Sequence, residues 1–418
     1  MRASVASQTY PLQSLGDISD SIRQRRVSPV EVVTTCLDRI ERLQPRLNAF
    51  ITVVADTALQ AAKKAAKEIE QGRWKGPLHG IPIGIKDFYD TAGLATTAAF
   101  ERFRNRIPKK DAVSVEKLKR AGAIVIGKTN MHTLGMGTTG LDSCFGPVMN
   151  PWNANYIPGG SSSGSAAAVA SGLCYATLDT DAIGSCRLPA ACCGVVGYKG
   201  SYGAIDLRGI LEGEQPPDDT IRWMSHAGLT TRSIQDTALV LDVLAEHNHH
   251  ANVPTWRRAL AAKSELRIGV ADNVKVDQEV SNAFNKAVAT LRSLGHTVNY
   301  ASAPFTDFSK GIANVESDRK AIGHLAFKDI DVLVLPTIAT ATPTVKDAAK
   351  NPLALPSRLT MFANYYGLPA VSVPCGFDDH GLPVGLQIVG KPREDGAILQ
   401  LAWQYERAAE FGKKQPIA

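Results

Sequence analysis

The sequence predicts an α/β protein in which helices cover both faces of a central sheet. In the second half of the chain, short apolar runs typical of strands alternate with longer segments of helical periodicity. Residues 76–245 hold most of the glycine and serine, between further short apolar runs. The 418 residues are 44% apolar and 21% charged, which is enough apolar material for one large or two ordinary domains.

The first segment, residues 1–75, is predicted to be helical and to pack on the rest of the chain. Ser28 followed by Pro29 is a favourable N-cap and first-turn pair, and helical periodicity follows it. The stretch Ala55–Gln71 is rich in alanine and charged residues, which predicts a second helix. Residues 76–418 are expected to form the core, so that the chain is one continuous domain.

Beyond residue 265, individual elements can be assigned. We assign a strand to each short apolar run and a helix where apolar residues recur every three or four positions. The predicted strands are Leu266–Val270, Val332–Leu335, Ala370–Pro374 and Val384–Val389. The predicted helices are Asp277–Leu294 and Ala397–Ala409.

Composition and charge exclude several classes of protein. The net charge of +6 is small for this length and no dense basic block occurs, so we expect no nucleic-acid binding. No apolar run is long enough to span a membrane, and no secretory signal is visible. The seven cysteines are irregularly spaced, which predicts reduced thiols in a cytoplasmic protein. The stretch His247–His250 is interpreted as a helix end, and no metal site is predicted.

Three segments match catalytic or nucleotide-binding patterns that we decline. Gly122–Thr129 has the letters of a phosphate-binding loop, but its four central residues, Ala-Ile-Val-Ile, favour a buried strand. Gly160–Gly164 matches G-x-S-x-G, yet a proline-bounded loop precedes it where that motif needs an apolar strand. Ser114–Lys117 matches S-x-x-K inside an amphipathic helix, where residues three apart share a face for no catalytic reason.

An apolar run, Gly80–Ile85, ends in Lys86 and is predicted to draw this lysine into the core. Burial disfavours the ammonium form, and a neutral lysine is a competent base. Lowering a lysine pKa from about 10.4 to near 7 costs roughly 4–5 kcal/mol, which the fold must supply. The alternative is a lysine at a strand end whose ammonium group reaches solvent.

Two serine-containing segments follow in the chain. Pro158–Ser165 combines glycines and serines just before a helix of small residues, an arrangement that leaves backbone amides free. Thr180–Arg187 is a turn that ends near Ser185 and can aim several amides at one point, as an oxyanion hole requires. Asp181 can brace this turn through an ion pair with Arg187. The alternatives are a flexible linker for the first segment and an ordinary strand-to-helix loop for the second.

Together, these segments resemble the amidase signature family. Ser161 lies 75 residues after Lys86, and Ser185 lies 24 residues after Ser161, as the family pattern has them. The glycine-serine segment and the turn ending in Ser185 are highly specific in combination. The resemblance covers about half of the chain, namely residues 80–232, 331–337 and 351–391.

The resemblance implies a single large α/β/α domain with a mixed, mostly parallel sheet, and an amidohydrolase for a small carboxamide. It implies that Lys86 is the base, that Ser161 is a relay serine preceded by a cis peptide bond, and that Ser185 is the nucleophile that forms an acyl-enzyme. It implies no metal or organic cofactor. The other predicted site residues are the oxyanion-hole amides of Ala182, Ile183, Gly184 and Ser185, the supporting residues Ser162, Asp181 and Arg187, and the pocket residues Met136 and Gly137.

The chain departs from the family pattern around the turn. Ile183 stands where the family mostly has glycine, and its β-branched side chain restricts the backbone and adds bulk near the predicted oxyanion hole. Asp179, Cys186, Ser163 and Gly200 also replace residues that are commoner in the family. None of these changes removes a catalytic group, but Ile183 puts the usual substrate range in question.

Two other functions stay open. Phe145–Trp152 is similar to the glutaminase subunit of a tRNA-dependent amidotransferase, which requires a partner and a glutamine pocket with charged groups. A non-catalytic scaffold is the second alternative, and it predicts loss of a triad residue, whereas all three are present. Only about 35 residues connect the predicted helix ending at residue 294 to the strand near residue 331. This short connection predicts a more open pocket, or one completed by a second chain in a homodimer or by a small subunit.

Overall fold

The computed structural model describes residues 13–245, 256–261, 265–306, 311–409, 411 and 414–416. The interpretation of His247–His250 falls outside these residues. Within them, the helices are α1 (Leu15–Arg23), α2 (Pro29–Leu47), α3 (Ala55–Glu70), α4 (Val113–Arg120), α5 (Ser163–Ala170), α6 (Arg187–Cys193), α7 (Asp219–Met224), α8 (Ile234–Leu244), α9 (Trp256–Leu260), α10 (Gln278–Ser293), α11 (Val315–Leu325), α12 (Val345–Lys350), α13 (Arg358–Tyr365) and α14 (Asp395–Ala409). The strands are β1 (Phe50–Val53), β2 (Pro82–Lys86), β3 (Ile124–Thr129), β4 (Ala176–Asp181), β5 (Val196–Lys199), β6 (His226–Thr231), β7 (Arg267–Ala271), β8 (Thr297–Ala301), β9 (Val332–Pro336), β10 (Ala370–Phe377) and β11 (Pro383–Gly390).

These strands of the described residues form one sheet in the order β1-β3-β2-β4-β6-β5-β10-β11-β9-β7-β8. Parallel pairs join β2 to β3 and β4, and β7 to β8 and β9. The other neighbours are antiparallel. The predicted α/β class and mixed sheet are therefore confirmed, but the expectation of a mostly parallel sheet is wrong. One antiparallel pair, β10 with β11, is a hairpin across the short connection 378–382, which enforces antiparallel pairing. The other antiparallel pairs join strands without such a short connection.

Helices cover both faces of the sheet, as the alternation of elements predicted. In β9, Val332 and Val334 belong to the apolar core that α10 and α14 cover. The intervening Leu333 and Leu335 belong to the core that α11 and α13 cover on the opposite face. Because successive side chains of a strand point to opposite faces, this strand is buried on both sides. The molecule thus has three layers, helix, sheet and helix.

The N-terminal segment contributes to both the helical layer and the sheet. The predicted start of α2 is confirmed, since the Ser28 hydroxyl accepts a hydrogen bond from the Val30 amide at 3.1 Å and Glu31 accepts one from the Ser28 amide at 2.7 Å. Strand β1 was not predicted, and it pairs antiparallel with β3 at the edge of the sheet. A segment that supplies an edge strand is bound to the core by backbone hydrogen bonds. The division at residue 75 remains a prediction.

The structure also bears on the segments that sequence analysis declined. Residues 124–129 form strand β3, so Gly122–Thr129 is not a loop, as predicted. Gly160–Gly164 follows irregular backbone with no preceding strand at residues 149–160. Across the described ranges, no helix is long and apolar enough to cross a membrane, and no group of three metal-ligating side chains converges. All seven cysteines are free thiols.

Candidate active site

Lys86 is the last residue of β2, and its position follows from the parallel pairing of β2 with β4. In this pair Ile85 lies opposite Leu178, so both strands end at the same edge of the sheet. Thr180, near the end of β4, is thereby brought next to the lysine, and the distance from Lys86 Nζ to Thr180 Oγ1 is 2.9 Å. Open α/β sheets bind their ligands at this carboxyl edge of parallel strands.

The Lys86 amine donates a second hydrogen bond to Ser161 Oγ at 2.8 Å, and its Nζ lies 5.5 Å from the centre of the Phe88 ring. The side chain is fully buried and forms no ion pair with any described residue. Burial lowers the pKa of Lys86 to about 8, although the negative charge of Asp179 opposes that shift. The lysine predicted to be buried is therefore buried.

The loop that carries Ser161 has the cis peptide bond that the family resemblance implied, between Gly160 and Ser161. The Ser161 carbonyl accepts a hydrogen bond from the His132 amide at 3.0 Å. At the start of α5, the Gly164 amide donates to the Asn130 carbonyl at 2.9 Å. A side chain at Gly164 would lie 2.5 Å from that carbonyl oxygen, so only glycine permits this approach of α5 to the end of β3.

The predicted pocket residues lie beside the Ser161 loop. A Cβ atom added to Gly135 would lie 3.7 Å from Ser161 Oγ, so this glycine faces the serine hydroxyl. Met136 is 71% exposed directly after it. The Gly137 carbonyl packs against Gly160, 3.1 Å from the position of a Cβ atom there. Met136 is thus open to solvent next to the serine loop, whereas Gly137 packs underneath it.

Ser185 lies between β4 and α6 and is only 4% exposed. Its carbonyl accepts a hydrogen bond from the Ser162 amide at 3.0 Å, and the Ser162 hydroxyl donates to the Thr180 carbonyl at 3.4 Å. These bonds hold the two serine segments together. Among the described residues the Ser185 hydroxyl has no hydrogen bond, so the expected bond between Ser161 and Ser185 is not formed in this structure.

The backbone amides of the turn differ in their hydrogen bonding. The Asp181 carboxylate accepts hydrogen bonds from the amides of Gly184 at 2.8 Å and Cys186 at 3.1 Å. The Gly184 amide is therefore occupied inside the turn. The predicted oxyanion-hole amides that donate no hydrogen bond to a described residue are those of Ala182, Ile183 and Ser185.

Helix α13 packs on the other side of the turn. The Thr360 hydroxyl donates to the Ile183 carbonyl at 2.5 Å. Gly184 has a φ of +129°, and a side chain there would lie 2.3 Å from Thr360 Oγ1. Glycine is therefore required at this position both by the backbone conformation and by the close contact. The Ile183 side chain is half-buried and packs with Ala182 against an apolar cluster of Met224, Val315 and Tyr365.

The predicted brace between Asp181 and Arg187 is present and fully buried. The guanidinium donates to both carboxylate oxygens, at 2.9 and 3.0 Å. It also donates to the side-chain oxygens of Gln387 and Asn364, each at 2.6 Å. Burial alone raises the pKa of Asp181, but the charge of Arg187 and its hydrogen bonds outweigh burial and hold that pKa well below its usual range. The turn thus contains a permanent carboxylate that fixes its amides.

Four side chains of this site were not identified from sequence: Thr180, Thr360, Asn364 and Gln387. Thr180 lies in the predicted turn, near the end of β4, and this position could have indicated that its side chain lies at the site. The others belong to segments that resemble the family, but no local pattern connects α13 or β11 to a turn more than 170 residues earlier.

Comparisons with known proteins identify the family of this chain. The sequence model of the Amidase family matches residues 31–326 and 316–399. A glutamyl-tRNA(Gln) amidotransferase subunit from Prochlorococcus marinus is 33% identical, with 96% of this chain and 98% of the relative aligned. The corresponding protein of Carboxydothermus hydrogenoformans is 32% identical over the same shares. The first alignment spans 485 positions although this chain has 418 residues, so this chain lacks segments that the relative has.

Solved structures give the same result. A 6-aminohexanoate cyclic dimer hydrolase superposes with a TM-score of 0.86 at 25% identity, covering 98% of this chain and 99% of that one. A peptide amidase from Stenotrophomonas maltophilia superposes with a TM-score of 0.79 at 25% identity, covering 95% and 97%. The match of the family model over most of the chain, together with these relatives, shows that this chain is an enzyme of the amidase family.

Proposed function

We propose that this enzyme hydrolyses a small carboxamide to a carboxylate and ammonia or an amine, through an acyl-enzyme on Ser185. The observation that carries the proposal is the 2.8 Å hydrogen bond between the buried, unpaired Lys86 amine and Ser161 Oγ. A lysine whose pKa lies near 8 is largely available as a base in mildly alkaline solution. Its hydrogen-bond partner is a hydroxyl, which can pass a proton on.

The proposed reaction uses each serine once. Neutral Lys86 takes a proton from Ser161, and Ser161 takes one from Ser185 as the Ser185 oxygen attacks the amide carbonyl. Since no Ser161–Ser185 hydrogen bond exists in the free structure, the Ser185 hydroxyl turns toward Ser161 when substrate binds. Ser161 then returns a proton to the leaving nitrogen, and water cleaves the acyl-enzyme along the reverse route.

The free amides of the turn support stabilisation of the oxyanion. We assign this role to Ala182, Ile183 and Ser185, because the Gly184 amide already donates to Asp181. A fixed carboxylate below the turn keeps these amides oriented before substrate arrives. Loss of one such donor in comparable enzymes costs about 10²–10³ in kcat.

The second candidate is a glutaminase subunit of a tRNA-dependent amidotransferase. It is favoured by the 33% identity to the Prochlorococcus protein over nearly the whole of both chains. In that role the chain would release ammonia from glutamine and would need a partner subunit. The missing segments relative to that protein argue for a free-standing amidase. Glutamine as the preferred substrate, with a rate that rises on adding a partner, would favour the second candidate.

The deciding experiment is Ser185→Ala, with the exposed serine change Ser293→Ala as a matched control. Purified protein is screened against small amides with an ammonia assay. Ser185 is also titrated with a fluorophosphonate, a reagent that labels a reactive serine with loss of fluoride. We expect Ser185→Ala to retain less than about one hundredth of the wild-type rate and to take up no label. Both variants should melt at the wild-type temperature. A Ser185→Ala protein that hydrolyses amides normally contradicts the proposal.

A further inference from the structure

Helix α11 lies in the short connection between α10 and β9, and one of its side chains reaches two other helices. Arg319 Nε donates to the Tyr365 carbonyl at 2.7 Å, and Nη2 donates to the Asn364 carbonyl at 3.1 Å. The same Nη2 donates to the Trp223 carbonyl at 2.6 Å. The first two carbonyls belong to the end of α13, and the third to the end of α7. One guanidinium therefore joins the carboxyl ends of two helices, where backbone carbonyls lack helical partners.

Aromatic rings hold the same guanidinium in place. Its carbon lies 4.1 Å from the centre of the Tyr202 ring and 5.2 Å from that of Trp223, and the two rings stack on each other. Gly367 permits the approach, because a side chain there would lie 3.3 Å from Arg319 Nε. Within the described ranges Arg319 forms no ion pair. Its contacts therefore depend on planar shape and several donors, which lysine does not have.

The helix ends that Arg319 joins also hold the turn Thr180–Arg187, the oxyanion turn. The Asn364 amide group donates to the Asp181 carbonyl at 2.8 Å and to an Asp181 carboxylate oxygen at 2.9 Å. It donates as well to the Met224 carbonyl at the end of α7, at 3.2 Å. Arg319 thus holds the backbone of Asn364. The Asn364 side chain in turn holds the Asp181 carboxylate, which orients the Gly184 and Cys186 amides.

We propose that Arg319 is a positioning residue for the oxyanion turn, acting through Asn364 and Asp181 without touching substrate. This inference rests on the proposed function, since it assigns Arg319 to the Ser185 chemistry. If Arg319 is lost, the ends of α7 and α13 separate and Asn364 no longer sets the position of Asp181. Misplacement of catalytic groups by about 1 Å costs on the order of 10²-fold in rate, so even a small shift is measurable.

The test compares Arg319→Gln and Arg319→Ala with Lys320→Gln, an exposed change on the same helix. The readouts are the second-order rate of Ser185 labelling by a fluorophosphonate, and kcat and KM for an uncharged amide. We expect labelling and kcat to fall about 10- to 100-fold in both Arg319 variants, with KM within about threefold of wild type. Lys320→Gln should match wild type. Guanidinium ion at millimolar concentration should restore part of the rate lost in Arg319→Ala and leave the Lys320→Gln rate unchanged.

A milder variant protects the test against misfolding. Tyr202→Leu removes one stacking face at a residue that is 41% exposed, and it should lower labelling in the same direction by a smaller factor. Unchanged labelling in folded Arg319→Gln overturns the inference. A loss confined to KM for amides that bear a carboxylate also overturns it, because Arg319 would then bind substrate directly. Failure of the proposed function is separate: in that case the wild-type protein itself takes up no label and cleaves no amide.

Discussion

Lys86 and Lys128 lie at the ends of the neighbouring parallel strands β2 and β3. Because Lys128 is in register with Ile85, the two lysine side chains point to opposite faces of the sheet. Both side chains are fully buried, and burial lowers the pKa of each to about 8. Their partners differ. Lys128 Nζ donates to the Tyr89 carbonyl at 2.6 Å and to the Thr96 and Thr91 hydroxyls at 2.8 and 3.4 Å, and it lies 3.5 Å from Asp87 Oδ1. Lys86 donates to the hydroxyls of Ser161 and Thr180 and has no carboxylate within ion-pair distance among the described residues.

The comparison shows that burial and a lowered pKa do not by themselves identify a base. The threonine hydroxyls that Lys128 binds donate their own protons to the Tyr89 carbonyl, and Asp87 provides a counter-charge, so Lys128 holds the backbone that follows β2. A third buried lysine, Lys199, donates to the Gly200 and Leu368 carbonyls, which have no proton to give. Lys86 differs from both, because it binds a serine hydroxyl that donates to no described acceptor and it has no counter-charge, which leaves it positioned to accept a proton. The counter-charge and the state of the bound hydroxyl therefore distinguish Lys128 and Lys199 from Lys86, the proposed base.

The sharpest test of this comparison is Lys86→Met. We expect kcat/KM to fall by about 10³-fold or more, because the general base is lost. Stability should stay level or rise, since an apolar side chain of similar length replaces a buried amine that has no counter-charge. Steady-state kinetics and thermal unfolding measure both effects, with the exposed Lys67→Met as control. Substantial activity in Lys86→Met would place the base elsewhere.

Lys128→Met should have the opposite profile. Removing this cation leaves the buried Asp87 carboxylate without its ion-pair partner, and breaking a buried pair typically costs about 3–5 kcal/mol. The activity of the protein that remains folded should fall far less than in Lys86→Met. Denaturant unfolding checks the stability, and the double variant Lys128→Met with Asp87→Asn should recover part of the loss. A catalytic defect without a stability defect would remove the distinction between the two lysines.

The pH dependence provides a test without substitution. Lys86 must be neutral to act, so kcat/KM should rise with pH, pass through a midpoint near 8 and level off above it. Below the midpoint the rate should fall about tenfold for each pH unit. Lys128 titrates in the same range but without catalytic effect, so the profile should contain one group. A flat profile from weakly acid to strongly alkaline pH contradicts the role of Lys86.

The smallest expected effect concerns Asp179, whose charge opposes the lowering of the Lys86 pKa. Its Oδ2 accepts hydrogen bonds from the hydroxyls of Thr177 and Thr230, each at 2.7 Å, and an asparagine oxygen can accept the same bonds. Asp179→Asn should therefore move the rising limb of kcat/KM to lower pH with little change in its plateau. The exposed Asp38→Asn is the control and should leave the limb in place. A limb that moves to higher pH would be incompatible with this electrostatic role.

The features that were predicted correctly from sequence depend on residues that lie close together in the chain. The α2 cap, strand β3 in place of a phosphate loop, the burial of Lys86 and the pairing of Asp181 with Arg187 were all predicted from residues close in the chain or from one apolar run. Strand β1 was missed because it has only four residues, Phe50–Val53, between two strong helices. Its pairing with β3 comes from tertiary contacts that no periodicity of so short a run reveals.

The features that sequence did not predict depend on contacts between segments that are brought together only in the folded protein. The antiparallel pairs that outnumber parallel ones are set by which strands become neighbours, and alternation of strands and helices is compatible with both arrangements. The Gly184 amide was expected to face substrate, yet the Asp181 carboxylate that pairs with Arg187 also accepts its hydrogen. In both cases the strands or residues were identified correctly, but the partners that they contact in the folded protein were not.

The long-range bracing of the turn has a consequence for how the enzyme is made. Thr360 and Gln387, which bind Arg187, lie 173 and 200 residues after it, and Asn364 lies 183 residues after Asp181. Because the N-terminal part of a chain leaves the ribosome first, Lys86 and both serines are synthesised long before these side chains exist. The nascent chain therefore contains the proposed nucleophile, Ser185, but not the side chains that support the turn around it. Under the proposed mechanism, we expect catalytic competence only once the last strands have been synthesised and have joined the sheet.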